Sequence, residues 1–367
     1  MTRIKDYIGM ILFIIMFAVL IGLIVGLISV YRPAEKKETK VGAVFIDDID
    51  DGGWNENHYK GIKAACEEYG LKFEIVTNVD ETLEACEPAV DELVEKGCNV
   101  IFLTSDGFGK NVYSIIEKYS DVIFYTISAD SKPANTITYF ARFYQMRLLS
   151  GMIAASMTQS NILGFVAATN NSQSNRGINA FLLGAREVNP DIVVKVRYIG
   201  EWTNAEEERE ATRKLIEEDG ADVIAYHASI HSAVEVAEEH NVYSIGYNNY
   251  KEGYSDKYLA SIVCHWDMLY KSIISDFLKG SVSEGKYYWW GIVYDAVELQ
   301  QLSPLIPKSV LERVDERATK LREIHDVFYG DLVSNDGRIM CRQGERISDD
   351  ALLRKMDWYM EGVEIYD

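Results

Sequence analysis

Two hydrophobic regimes divide the chain. Residues 8–30 run for 23 positions without a charge, built mostly from Ile, Leu, Val, Met, Phe and Gly. About 20 such residues cross a hydrocarbon core of about 30 Å as a helix, so the run predicts one transmembrane anchor. A cleaved signal peptide would carry a shorter apolar run and a small-residue cleavage site. No cysteine precedes Cys66, which argues against a lipid anchor. Arg3 and Lys5 precede the run while Arg32, Lys36, Lys37 and Lys40 follow it, so flanking charge leaves the orientation open. Residues 31–39 read as a polar linker.

From residue 40 the pattern becomes an alternation. Short β-branched runs at 41–46, 72–77, 100–104 and 122–126 are separated by amphipathic stretches at 55–69, 86–96 and 111–119. The pattern restarts with strands at 161–166, 193–198, 223–226 and 243–247 and helices at 174–188, 206–218 and 232–240. Apolar runs spaced by helices of about 10–15 residues indicate βαβ units and parallel sheets. Two such halves of similar size predict an α/β architecture of two doubly wound lobes joined by a hinge. The expected organisation is a segment at 1–7, an anchor at 8–30, a linker at 31–39, an N-terminal lobe at 40–141, a C-terminal lobe at 142–261 and a tail at 326–367 packed on the lobes. Residues near 262–288 are expected to return to the first lobe and 289–325 to the second.

Doubly wound sheets bind ligands outside the carboxyl ends of their strands, and two facing lobes would join those ends in one cleft. The residues after each strand are therefore the candidates. They include Asp47 through Asn55, Ser105 through Gly109, Gly200 through Asn204, His227 through Ser229, and Gly246 through Asn249. Trp54 and Trp202 each sit one loop past a strand in opposite halves, where closure could sandwich a flat ligand between two indoles; each could instead pack into its lobe's core. Asp51 and Asn55 flank the first indole and could grip a ligand or cap a helix. Asn248 could contact a ligand or form a turn. Asp106, Phe108, Tyr139, His227 and Trp266 complete the set of candidate ligand-binding residues.

Charge and chemistry narrow the function. The formal net charge is −20, which argues against a nucleic-acid partner because no basic patch exists to neutralise phosphates. It also favours neutral or cationic solutes over anions, although a pocket can override the global field. The five cysteines form no CxxC pair, so neither a zinc site nor a redox motif is expected, while a disulfide between two of them stays open. The six histidines show no HExxH spacing, and no GxSxG elbow or GxxxxGK[ST] loop is present. His227 and His231, four apart, could share a metal, or else serve as a cleft histidine and a helix start. A binding protein without catalytic residues, cofactor or metal is the expectation.

Several motifs also resemble those of a known family. Asp51-Gly52-Gly53-Trp54-Asn55 with Tyr59-Lys60-Gly61, Tyr139-Phe140-Ala141-Arg142 with Leu149 through Ala155, Asn179-Ala180-Phe181 with Gly184-Ala185 and Asn189-Pro190, and Glu201-Trp202 with Gly220-Ala221-Asp222-Val223 are similar to signatures of the basic membrane protein family. The likeness continues through Phe328-Tyr329-Gly330-Asp331 and Met356-Asp357-Trp358. This is the purine nucleoside receptor A-like group of solute-binding proteins serving ABC importers. The resemblance implies a type I periplasmic-binding fold closing on a purine. Trp54 and Trp202 would then stack on the base, and Asp51 and Asn55 would hydrogen-bond the base or ribose. Asn248 stands where nucleoside-binding members often carry Asp, and Cys264 where many carry Lys; both departures point to a free base such as adenine ahead of a nucleoside. The implied setting is the outer face of the cell membrane, with an ABC permease as partner. A membrane-tethered purine sensor or regulator with the same fold is the alternative.

Overall fold

The computed structural model describes residues 13–24, 38–127, 133–248, 250–282, 287–324 and 327–366. The chain divides into two units, Met1–Thr39 and Lys40–Asp367. In the first, residues 13–24 form helix α1, with apolar side chains exposed along it. The rest of the uncharged run 8–30, and most of the linker expected at 31–39, lie outside the described residues. Among the described residues no helix is long and apolar enough to cross a membrane.

The second unit is built on two sheets. Five strands open it: β1 (Lys40–Val44), β2 (Lys72–Val76), β3 (Val100–Leu103), β4 (Ile123–Ile127) and β5 (Thr136–Ala141). Next come β6 (Ile162–Ala167), β7 (Val193–Tyr198), β8 (Val223–His227), β9 (Tyr243–Asn248) and β10 (Tyr258–Cys264). The last are β11 (Tyr287–Trp290), β12 (Val297–Gln300), β13 (Leu332–Val333), β14 (Ile339–Cys341) and β15 (Val363–Tyr366). The first sheet runs β11-β5-β4-β3-β1-β2 and is parallel throughout. The second runs β12-β10-β9-β8-β6-β7-β15, with only β12 antiparallel. The chain passes between the sheets three times, after β5, after β10 and after β11.

Helices cover the sheets: α2 (Trp54–Tyr69), α3 (Leu83–Glu95), α4 (Asp106–Asn111), α5 (Tyr113–Lys118), α6 (Phe143–Met157) and α7 (Ser172–Arg186) in the first stretch. Then come α8 (Ala205–Glu217), α9 (Ser232–Glu239), α10 (Trp266–Leu278), α11 (Lys308–Ile324) and α12 (Asp349–Arg354). Local chemistry starts them where the strands end. Asn171 caps α7 by accepting from Ser174 N at 2.9 Å, and Asn204 caps α8 through Glu207 N at 3.1 Å. Helices α6 and α7 approach backbone to backbone, because a Cβ on Gly151 would lie 2.1 Å from the Phe181 carbonyl oxygen and one on Gly184 would lie 1.8 Å from that of Leu148. The tail is tied to the second sheet: β15 pairs with β7, and buried Asn179 donates to the Trp358 carbonyl at 3.0 Å and accepts from Met360 N at 2.9 Å.

Parallel order sends all strand ends of one sheet the same way. The segments after β1, β3 and β4 and those after β6, β7, β8 and β9 consequently meet at one place, which is where a ligand cleft belongs in open α/β sheets.

Candidate functional site

A narrow cavity of about 10 Å³ lies at that meeting point. The first half contributes Trp54, Ser105, Asp106 and Ile127; the second contributes Gln173, Trp202, Ala228, Ser229 and Tyr247. Two indoles, several small polar groups and one carboxylate make a lining suited to a small, flat, polar ligand.

Trp54 is held rigidly. It begins α2, is 7% exposed, and donates Nε1–H to the Thr104 carbonyl at 2.7 Å. Its ring packs on His58 with centroids 4.2 Å apart and edge-on against Trp266 at 5.6 Å. The indole N–H is thus spent inside the protein, leaving ring surface for the cavity. Trp202 is less buried; Ser229 N donates to its carbonyl at 2.9 Å, tying the loop after β7 to the loop after β8. The two halves touch where a Cβ on Gly53 would fall 2.1 Å from the Ser229 carbonyl oxygen. Only glycine permits that approach.

Of the ten sequence candidates, Trp54, Asp106 and Trp202 line the cavity, and the other seven lie outside its lining. Asp51 caps α2 with both oxygens, accepting from the backbone N–H groups of Gly53, Asn55 and Glu56 at 2.8–3.0 Å and from Asn55 Nδ2 at 2.9 Å. Asn55 is fully buried beside it. Phe108 faces away from the cleft into the core between α3, α4 and the first sheet. Tyr139 is buried, its hydroxyl 2.9 Å from that of Tyr270. Asn248 joins the halves: its Oδ1 accepts from Trp266 Nε1 at 3.2 Å and its carbonyl from Asn57 Nδ2 at 3.3 Å. Its φ of 71° is one that asparagine tolerates better than most residues. Asn249 lies outside the described residues. His227 stands directly behind the lining, 3.2 Å from both Gln173 Nε2 and the Tyr247 hydroxyl.

Residue type alone missed six lining residues: Ser105, Ile127, Gln173, Ala228, Ser229 and Tyr247. Ser105, Ala228, Ser229 and Tyr247 belong to strand exits already singled out, where neighbouring residues took the weight. Gln173 follows the exit of β6, whose Asn171 cap was its available signal.

Electrostatics around the site run against the acidic surface. Arg147 and Arg176 are 0% and 2% exposed. Arg147 donates to the Tyr226 carbonyl and packs 4.8 Å over the Tyr247 ring. Arg176 donates to the Leu352 carbonyl at 3.1 Å, and the Asp106 carboxylate is among the groups whose field acts on it. Burial lowers the Arg147 pKa to about 10, which still leaves it cationic at neutral pH. Burial first, and then these two guanidiniums, hold His227 well below the usual histidine range. Among the described residues no group of His, Cys, Asp and Glu could hold a metal ion, and all five cysteines are unpaired.

Comparison with known proteins gives a consistent picture. The model of the family described as ABC transporter substrate-binding protein PnrA-like matches residues 38–328. A purine-binding protein of Brucella abortus is 30% identical over 90% of this chain and 94% of its own length. A candidate ABC transporter glucose-binding protein of Haloferax volcanii is also 30% identical, over 90% of this chain and 82% of its own. A crystal structure of a transcriptional activator of the comK gene from Bacillus halodurans superposes with a TM-score of 0.67 at 25% identity, covering 78% of this chain and 99% of that one.

Proposed function

The chain belongs to the PnrA-like family of ABC transporter substrate-binding proteins, and from that premise we propose that it captures a purine base between its two sheets and delivers it to an ABC permease. The observation that carries this reading is the pair of indoles, Trp54 from the first half and Trp202 from the second, lining one cavity at the strand ends. Ring stacking contributes about 1–3 kcal/mol per base face. A space of about 10 Å³ is far below the size of a ligand pocket, so the two halves would have to part to admit a base. Adenine is the first base to test. The purine-binding relative supports this choice; the glucose-binding one supplies the competing ligand.

The uncharged run 8–30 would tether the protein to the cell membrane in a single pass, with residues 40–367 on the outer face. Protease treatment of intact cells tests the topology: the binding unit should be cleaved while the cytoplasm stays protected.

Calorimetry on the full chain in detergent, with adenine, guanine, hypoxanthine, adenosine and glucose, tests the ligand. Micromolar or tighter binding of a purine supports the reading; binding of glucose alone refutes it. A second reading, a tethered purine sensor, draws support from the likeness to a transcriptional activator. Deleting the gene separates the two. Lost purine uptake supports transport, whereas intact uptake with altered purine-responsive transcription supports sensing.

A further inference from the structure

One wall of the cavity carries a polar group that stacking leaves unused. Gln173, in the first turn of α7, lines the cavity and is 5% exposed. Its amide oxygen Oε1 is buried and has no hydrogen-bond partner in the protein. Folded proteins leave few buried acceptors unpaired, and an unpaired one on a residue that lines a cavity needs an explanation.

The orientation of that amide follows from His227. Gln173 Nε2 and the Tyr247 hydroxyl both lie 3.2 Å from His227 Nε2. An amide nitrogen only donates, and a neutral imidazole offers one acceptor nitrogen. A bare Nε2 has one lone pair, which the amide N–H and the Tyr247 O–H share, and this arrangement keeps the amide nitrogen towards the ring; a protonated Nε2 turns the amide over. A doubly protonated ring would have no acceptor there, and burial together with Arg147 and Arg176 keeps the ring neutral. The amide orientation, with Nε2 towards the ring and Oε1 away from it, goes with the His227 tautomer whose Nε2 is bare. Gln173 and Gly177, four residues apart, share one helix face, and the imidazole packs on that face: a Cβ on Gly177 would make an ordinary contact with His227 Nδ1 at 3.4 Å.

We propose that Gln173 determines the specificity of the cleft, its Oε1 accepting an N–H from an amino-bearing edge of the ligand, and that His227 is the residue that positions it. The inference rests on the purine reading above. Asp106, from the first half, adds carboxylate acceptors to the same lining. Acceptors from both halves suit a heterocycle with an exocyclic amine and a ring N–H. A 6-oxopurine would set its carbonyl oxygen against Oε1 with no proton between them. Sites built to pair with a ligand N–H discriminate strongly against analogues lacking it.

The test is calorimetry on the full chain with adenine and hypoxanthine, which differ at that edge. The wild type should bind adenine at least tenfold more tightly. Gln173→Met should bring the ratio close to one by weakening adenine alone, while Gln173→Glu, which keeps an acceptor, should retain the preference. His227→Phe frees the amide to rotate and should also reduce the ratio. Adding Gln173→Glu to His227→Phe should restore it, because either carboxylate oxygen accepts. A structural role alone would weaken both purines equally and leave the ratio unchanged, which overturns the proposal. Equal or tighter binding of hypoxanthine by the wild type overturns this inference while the purine reading stands. If neither purine binds, both fall.

Discussion

Replacing Gly53 by alanine would drive a wedge into the cleft. The new methyl carbon would lie 2.1 Å from the Ser229 carbonyl oxygen, where carbon–oxygen contacts need about 3.3 Å. The loops must therefore separate by roughly 1 Å or more. Gly53 precedes α2 in the first half and Ser229 follows β8 in the second, so the movement opens the mouth of the cavity. Overpacking of this kind costs about 1–3 kcal/mol. If ligand binds the closed arrangement, that cost lowers the closed population and the apparent affinity by roughly 5- to 150-fold. The open arrangement stays folded, so the thermal midpoint should change little. Calorimetry measures the affinity, and small-angle scattering with and without ligand measures closure. Gly52→Ala is the control: its φ of 67° strains an alanine, but nothing lies within 4 Å of the new Cβ, so it should lower stability by about 1 kcal/mol and spare affinity. Unchanged affinity and closure in Gly53→Ala would refute the idea that this contact belongs to the binding-competent state.

Three further outcomes are expected. Trp202→Ala should weaken purine binding by about 1–3 kcal/mol with little loss of stability, because the indole is only partly buried; a stability loss without an affinity change would make Trp202 a core residue. Asn179→Leu should cost roughly 2–4 kcal/mol in denaturant unfolding, because it strands the Trp358 carbonyl and the Met360 amide; a change under 1 kcal/mol would mean that the tail is not anchored there. Glu208 is fully buried, and burial raises its pKa to about 8, partly offset by the Ala233 N–H. Its folded pKa lies above the unfolded value, so the folded state holds the extra proton between about pH 4.5 and 8. Stability should therefore fall by up to about 1.4 kcal/mol per pH unit as pH rises through that window. Glu208→Gln, which keeps the acceptor for Ala233, should remove this slope; parallel stability curves for the two proteins would contradict the burial argument.

How far the sequence reading reached depends on the kind of signal. The β-branched runs placed the parallel strands, because strands buried on both faces must be apolar along their length. The strand exits pointed to the region where the two halves meet, and Trp54, Asp106 and Trp202 among them line its cavity. Side-chain direction was not readable. Phe108 follows the same strand as Asp106 but turns into the core, since its side depends on how α4 packs. Asp51 had two chemically sound roles, and only coordinates assign it to capping α2. Gln173 looks like an ordinary helix residue until His227, 54 positions away, is found against its amide. The net charge of −20 gave no hint of two buried guanidiniums behind the cavity, because burial is a property of the whole fold. The same holds for β15, whose pairing with β7 joins residues far apart in the chain.

The central claim is that a purine sits between Trp54 and Trp202, and a crystal structure of the full chain grown with saturating adenine tests it most directly. The account predicts density for the base in the cavity at the strand ends, stacked on at least one indole and within hydrogen-bond reach of Gln173 Oε1. An empty cavity under those conditions, or adenine seated elsewhere on the molecule, would contradict it.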